Sequence, residues 1–293
     1  MILQDSINSD AFSPMNARKL LQKYKIRPNR RLGQNFLVDP RALSRVIAAA
    51  ELTGNETVLE VGAGLGALTC RLAEMARLVV TVEVDQRFLP LLEEVTGYYE
   101  NVRLVCGDIL ELNLMTILGE DEYAVIANIP YNITSALIRR FLENEKPAKR
   151  IVLTVQREVA ERIVAKPGSL SLLAVSVQIY GDPQITAHIP AKAFYPKPKV
   201  DSAVLRVDLH SEPIVEQALL PTLFQLTKAG FSQKRKQLRN ALAGGLRLSP
   251  SVVVEWLQMA AIPPTSRAQE LGLEAWIRLT HVVMEEGGLE DPE

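Results

Sequence analysis

Four polar clusters recur through the first half of this 293-residue chain: Gly62-Ala63-Gly64-Leu65-Gly66, Glu83, Asp108 and Asn128-Ile129-Pro130-Tyr131. Each follows a short apolar run. A glycine loop lets the backbone approach a ligand closely, because no Cβ intervenes. Such loops serve dinucleotides and S-adenosyl-L-methionine alike. A carboxylate at Glu83 can accept hydrogen bonds from both hydroxyls of a ribose. Asp85 can substitute for it, or can cap a helix. Asp108 can accept from the amino group of a bound adenine, or can cap the turn that follows.

The fourth cluster is the most specific. Asn128-Ile129-Pro130-Tyr131 resembles the signature of methyltransferases that act on exocyclic amino nitrogens: Asn, Asp or Ser, then Ile, Leu or Pro, then Pro, then Tyr or Phe. The chemistry accounts for the residue types. The amino nitrogen of adenine is a poor nucleophile, because its lone pair is delocalised into the ring. An Asn side-chain oxygen and the next backbone carbonyl can accept both N–H bonds and localise that pair. Proline fixes φ and holds the carbonyl outward. Tyrosine offers a stacking face worth roughly 1–3 kcal/mol, comparable with the few kcal/mol needed to extrude a base.

The elements that must position these residues alternate. Strands are expected over 57–61, 78–82, 102–106, 123–127 and 150–155, with helices over 67–75, 86–95 and 135–142 between them. Ser13-Pro14 and Asp39-Pro40 are helix starts, for 14–25 and 42–50, separated by a loop over 27–39. This alternation specifies a doubly wound parallel sheet. In such sheets the ligand sits at the carboxyl ends of the strands, near the switch point. All four clusters fall at strand ends. Beyond residue 155 the text changes: helices at 156–164 and 170–180, strands at 185–189 and 203–209, and a Pro/Lys-rich loop over 191–201. After a linker at 210–213 the remainder is helical, roughly 214–228, 234–243, 250–260 and 272–286.

Composition sets outer bounds. Two cysteines and three histidines supply neither a disulfide framework nor a zinc site. Cys70 and Cys106 read as two buried thiols in a reducing compartment, and no metal is expected. No apolar run is long enough for a membrane span, and the start lacks a secretory signal. The polar residues before Ser13 read as loose. A cytoplasmic monomer is expected. The 33 Lys+Arg nearly cancel the 34 Asp+Glu, which taken whole argues against nucleic acid.

These residues together resemble the small-subunit rRNA adenine N6-dimethyltransferase family (KsgA type), relatives of the erythromycin-resistance 23S rRNA methyltransferases. The resemblance covers about residues 28–285. It includes an opening motif at Arg31-Leu32-Gly33-Gln34-Asn35-Phe36-Leu37 and a late motif at Ala193-Phe194-Tyr195-Pro196-Lys197-Pro198-Lys199-Val200-Asp201-Ser202. It extends to Phe231-Ser232-Gln233-Lys234-Arg235-Lys236-Gln237-Leu238-Arg239-Asn240. Ile129 where Leu is common and Ile133-Thr134-Ser135 are mild departures.

The resemblance implies an α/β, Rossmann-like class I methyltransferase with a mostly parallel seven-stranded sheet and a small all-α C-terminal domain. Residues 1–211 would form the first domain, with 1–26 a basic extension, and 212–293 a helical RNA-binding domain. Asn35 and Leu37 would border S-adenosyl-L-methionine. Gly62 would approach its methionine part, Glu83 its ribose and Asp108 its adenine amine. Asn128 would lie where cofactor and target meet. Tyr131 and Phe194 would sandwich the target base. The implied reaction is direct in-line methyl transfer to N6, performed twice, on adjacent adenines of the 3′-terminal hairpin loop of 16S rRNA in the immature small subunit.

The resemblance also changes the meaning of the charge. Residues 16–35 hold seven cations and no acid, and 217–254 hold six and no acid, whereas 51–122 hold 14 acids and four cations. A charge run is usually a solvated face, but the family places these runs around the RNA. Lys197, Lys199, Lys234, Arg235, Lys236 and Arg239 are therefore candidate RNA contacts. Two readings compete with this one: a 23S rRNA methyltransferase of the resistance type, and a non-catalytic ribosome-assembly factor. A nicotinamide dehydrogenase is disfavoured, because no catalytic His or Tyr-Lys arrangement accompanies the glycine loop.

Overall fold

The structure is a computed structural model that describes residues 14–29, 31–144 and 146–289. The loose segment expected before Ser13 lies outside the described residues. Contacts divide the chain into two compact units, Met1–Ala160 with Gln184–Leu209, and Glu161–Pro183 with His210–Glu293.

The first unit opens with α1 (Pro14–Lys23), β1 (Phe36–Leu37) and α2 (Pro40–Ala50). The basic N-terminal segment is a docked helix. Ala17 and Leu21 on one face of α1 are buried in the core, with Ile26 just beyond. Asp39 caps α2 by accepting from Ala42 N at 2.9 Å, and Pro40 follows it. At the other end of α2, Arg206 and Arg150 donate to Ala49 O and Ala50 O. Both also pair with Glu51 and Asp208. The last helical carbonyls are thereby satisfied.

The alternating part follows as β2 (Thr57–Val61), α3 (Ala67–Ala73), β3 (Leu78–Glu83), α4 (Leu89–Thr96), β4 (Val102–Cys106), α5 (Leu114–Leu118), β5 (Tyr123–Asn128), α6 (Thr134–Leu142) and β6 (Arg150–Gln156). These strands are β-branched and apolar because helices cover both faces of the sheet. All five residues of β2 are buried. Next come α7 (Arg157–Ile163), α8 (Leu172–Gln178), β7 (Gly181–Ile189), β8 (Phe194–Tyr195) and β9 (Ser202–Leu209).

The strand order is β4-β3-β2-β5-β6-β9-β7. The first five run parallel, and β9 is antiparallel to β6, with Leu153 opposite Leu205. The chain winds outward from β2 to β4, then returns to β5 on the other side. The carboxyl ends of β2 and β5 therefore flank the switch point.

Three short elements depart from the expected pattern. Phe36–Leu37 and Phe194–Tyr195 form a two-stranded ribbon inside segments expected to be loops, and α5 lies where no element is expected. Two-residue strands carry no periodicity to detect. Cys106 also departs from the expected burial. It is exposed, because β4 lies at the sheet edge with an irregular burial pattern.

The second unit contains α9 (Leu220–Phe231), α10 (Leu238–Leu246), α11 (Pro250–Met259) and α12 (Leu273–Glu285). Its core holds Leu223, Leu226, Leu257, Trp276 and Leu279, and also Val175 of α8 and Ile179 just after it. The apolar face of α8 is why Glu161–Pro183 groups with this unit rather than with the sheet. Among the described residues, no helix is long and apolar enough to cross a membrane.

Candidate active site

Gly62, Gly64, Glu83, Asp108, Asn128, Ile129, Pro130 and Tyr131 line one cleft at the carboxyl ends of β2, β3, β4 and β5. Segment Leu32–Phe36 closes it from the N-terminal side. The cleft encloses about 750 Å³ of empty space, open solvent included.

The glycine loop is shaped by backbone geometry. Gly62 has φ +77° and Gly64 φ +56°, where side chains are strained. A Cβ on Gly64 would stand 2.8 Å from the Phe36 ring. The loop is therefore closed on the β1 side and bare toward the cleft.

Glu83 terminates β3 with 5% exposure. Its Oε2 accepts from Gly64 N and its Oε1 from Asp85 N, both at 2.9 Å. Burial raises its pKa, opposed by those two backbone donors. The carboxylate is thus fixed in place by backbone donors. Asp85 is no substitute ligand here. Its carboxylate receives Arg87 Nε at 2.8 Å and Nη2 at 2.6 Å, and Gln34 Nε2 at 2.9 Å. The Arg87 bonds hold its pKa low.

Asp108 Oδ1 accepts from Leu110 N at 2.9 Å. The residue caps its turn and also faces the cleft, so the two readings of it coexist. On the opposite wall, Asn128 Nδ2 donates to Asn35 O at 3.0 Å, and Asn35 Nδ2 donates to Gly33 O at 3.0 Å. That chain of amides commits the Asn128 nitrogen and leaves Oδ1 as an acceptor. The Tyr131 hydroxyl lies 2.7 Å from Ser202 Oγ, and burial raises its pKa.

Two expected residues stand elsewhere. Leu37 is buried and lines a smaller inner cavity with Glu60, sharing Phe36, Gly62 and Asn128 with the cleft. Phe194 is 4% exposed and does not line the cleft. Pairing with Leu37 turns β8 into the core. An aromatic face opposite Tyr131 is therefore not formed in this structure. Lys197 and Lys199 are exposed between β8 and β9, and Lys234, Arg235 and Lys236 are exposed between α9 and α10. Arg239 is half-buried, and its Nε has no hydrogen-bond partner.

Sequence reasoning passed over Gln34, Ser202 and Glu60. Glu60 is 1% exposed inside β2, accepts from Thr69 Oγ1 at 2.6 Å and Thr81 Oγ1 at 2.7 Å, and has its pKa pushed up by burial to about 7. An acid within an otherwise apolar strand was the available signal. Among the described residues no cluster of His, Cys, Asp or Glu is arranged to hold a metal ion.

The sequence pattern of the family described as ribosomal RNA adenine dimethylase matches residues 26–284. A protein named Ribosomal RNA small subunit methyltransferase A from Dehalococcoides mccartyi (strain CBDB1) is 42% identical over 264 residues, covering 90% of this chain and 91% of its own. Its namesake in Lysinibacillus sphaericus (strain C3-41) is 37% identical, covering 93% and 97%. Among solved structures, a dimethyladenosine transferase from Plasmodium falciparum superposes with a TM-score of 0.73 at 25% identity, covering 86% of this chain and 98% of its own. The 23S rRNA methyltransferase ErmE gives 0.69 at 28%, covering 85% and 99%.

Proposed function

This chain belongs to the ribosomal RNA adenine dimethylase family, and on that premise we propose that it dimethylates N6 of two adjacent adenines in the 3′-terminal hairpin loop of 16S rRNA. S-adenosyl-L-methionine is the proposed methyl donor, and the immature small subunit in the cytoplasm the proposed setting. We take the working unit to be a monomer. The observation that carries the reading is the convergence of Gly62, Glu83, Asp108 and Asn128–Tyr131 on one cleft.

The residues present fit the cofactor. Bare glycine backbone faces the cleft, a fixed carboxylate ends β3, and Asp108 stands at the end of β4. We assign Gly62 and Gly64 to the amino-acid part, Glu83 to the ribose hydroxyls and Asp108 to the adenine amine. Asn35 borders that wall, and Leu37 stands behind it in the inner cavity. When bound, S-adenosyl-L-methionine supplies an electrophilic methyl group.

The chain's own work is then positioning and electrostatics. Asn128 Oδ1 accepts one N–H of the target amine, and the carbonyl before Pro130 accepts the other, localising the lone pair on N6. Pro130, with φ −60°, fixes that carbonyl. Tyr131 stacks on the base. Phe194 joins the stack only on movement of β8. After attack the nitrogen is acidic and loses its proton to water. The second round needs room in the cleft for the first methyl group.

Lys197, Lys199, Lys234, Arg235, Lys236 and Arg239 are the proposed phosphate contacts, and we take the helical unit as the RNA guide. Methylation of isolated immature small subunits, with naked 23S rRNA as the alternative substrate, tests the reading. Activity only on 23S rRNA would overturn the small-subunit reading; the 23S rRNA methyltransferase ErmE is 28% identical to this chain, against 42% for the small-subunit relative from Dehalococcoides mccartyi. Calorimetry should detect binding of S-adenosyl-L-methionine and none of NAD.

A further inference from the structure

Glu60 is buried inside β2 at 1% exposure, and the proposed reaction makes no use of it. Its Oε2 accepts from both Thr69 Oγ1 and Thr81 Oγ1. No hydrogen bond reaches its Oε1 among the described residues. A carboxyl enclosed in this way keeps its proton near neutral pH unless a positive charge stands close by.

The groups that face Glu60 supply no such charge. Glu83, at the end of the neighbouring β3, is itself an acid and opposes ionisation. Cys70 in α3 has its thiol pushed up to about 12, by burial and then by Glu60, so it stays neutral. Thr69 of α3, Thr81 of β3 and Asn128 of β5 carry no charge, and β1 presents Phe36 and Leu37. The Glu60 carboxyl accordingly stands at about 7 instead of 4.5, chiefly through burial.

The missing charge can come from the cleft. Glu60 lines the inner cavity with Gly62, Ala63 and Asn128, and Gly62 and Asn128 also line the cleft. Gly62, assigned above to the amino-acid part of the cofactor, is two residues from Glu60, so their Cα atoms lie within about 7 Å. That part of the cofactor carries an ammonium group. At such a separation, away from bulk water, unlike charges attract strongly and favour the ionised acid. A metal ion does not fit the same place. One carboxyl and two threonine hydroxyls among apolar side chains fall short of the oxygen ligands that such an ion takes.

We propose that Glu60 is the counter-ion of the cofactor's ammonium group, and that cofactor binding ionises it. The Glu60 O–H bond breaks, its electron pair stays on the carboxylate, and the proton passes to solvent as the ion pair forms. No covalent bond to the ligand is made. The proposal rests on the S-adenosyl-L-methionine reading above. Because the acid must ionise before it can pair, affinity should fall as pH drops below about 7.

The test is titration calorimetry on the full chain between pH 5.5 and 7, a range in which an α-amino group stays mostly charged. S-adenosyl-L-methionine should bind roughly 10- to 20-fold more weakly at pH 5.5 than at pH 7. At pH 6, heats in two buffers of different ionisation enthalpy should show release of about 0.9 proton per ligand bound. Glu60→Gln keeps an acceptor for both threonines and should show neither the slope nor the release. S-adenosylhomocysteine keeps the ammonium without the sulfonium charge and should release the same proton. 5′-Methylthioadenosine lacks the amino-acid part and should release none. A wild-type chain that binds S-adenosyl-L-methionine with flat affinity and no release overturns the proposal, whether or not the variant folds. Release that persists in Glu60→Gln assigns the proton to another group, Glu83 first, and also overturns it. So does release with 5′-methylthioadenosine, or its absence with S-adenosylhomocysteine. A wild-type chain that does not bind S-adenosyl-L-methionine at any of these pH values overturns the cofactor reading, and this proposal with it.

Discussion

Tyr131 and Ser202 share a hydrogen bond of 2.7 Å that joins the turn after β5 to the first residue of β9. Ser202 is fully buried and sits opposite Gln156 in the sheet. The ring proposed to stack on the base is therefore fixed from the sheet, and the late motif meets the proposed catalytic motif through one hydroxyl. Ser202→Ala and Tyr131→Phe should each lower kcat by about 2- to 10-fold, the worth of one hydrogen bond. The double variant should be no worse than either. Additive losses in that cycle would sink the positioning role. Tyr131→Ala, which also loses stacking, should cost about 10- to 100-fold.

Asn128 is held by its nitrogen and free at its oxygen, because Asn35 O takes Nδ2 at 3.0 Å. Asn128→Ala should reduce methylation by about 10²–10³, as loss of a preorganised acceptor or donor does. Binding of the immature subunit should persist. If binding disappears in parallel, Asn128 supports the fold rather than the reaction, and a separable assembly role is also excluded.

Gln34 fastens the cleft wall to the turn after β3. Its Nε2 donates to Asp85 at 2.9 Å, and its Oε1 accepts from Asn29 N at 2.7 Å. Gln34→Ala should weaken S-adenosyl-L-methionine binding by about 3- to 10-fold, on the scale of one charge-assisted bond. It should also speed proteolysis across residues 27–38. Titration calorimetry and limited digestion check both, and unchanged affinity would refute the fastening role.

Glu60 carries a pH dependence. Folding raises its carboxyl from 4.5 to about 7, chiefly through burial. The stability it contributes is full below about pH 4.5 and is lost as pH rises through about 7. Glu60→Gln retains an acceptor for Thr69 and Thr81 but does not ionise. In urea melts, the stability of the variant relative to wild type should rise by roughly 3 kcal/mol between pH 4 and pH 8. A difference that stays flat across that range rejects the buried titration.

The sequence by itself determined the alternation of β2 to β6 with helices, the strand ends that bear Gly62, Glu83, Asp108 and Asn128, and the helical remainder. These follow from local periodicity and turn chemistry, which each residue carries with it. Only the tertiary structure decided which side chains orient one another. The bonds of Asn128 to Asn35, Tyr131 to Ser202 and Gln34 to Asp85 join residues 93, 71 and 51 positions apart. No local pattern encodes such pairs. The same holds for Phe194, whose burial depends on two-residue pairing with β1, and for α1, whose charges became a surface only once Ala17 and Leu21 had chosen the core.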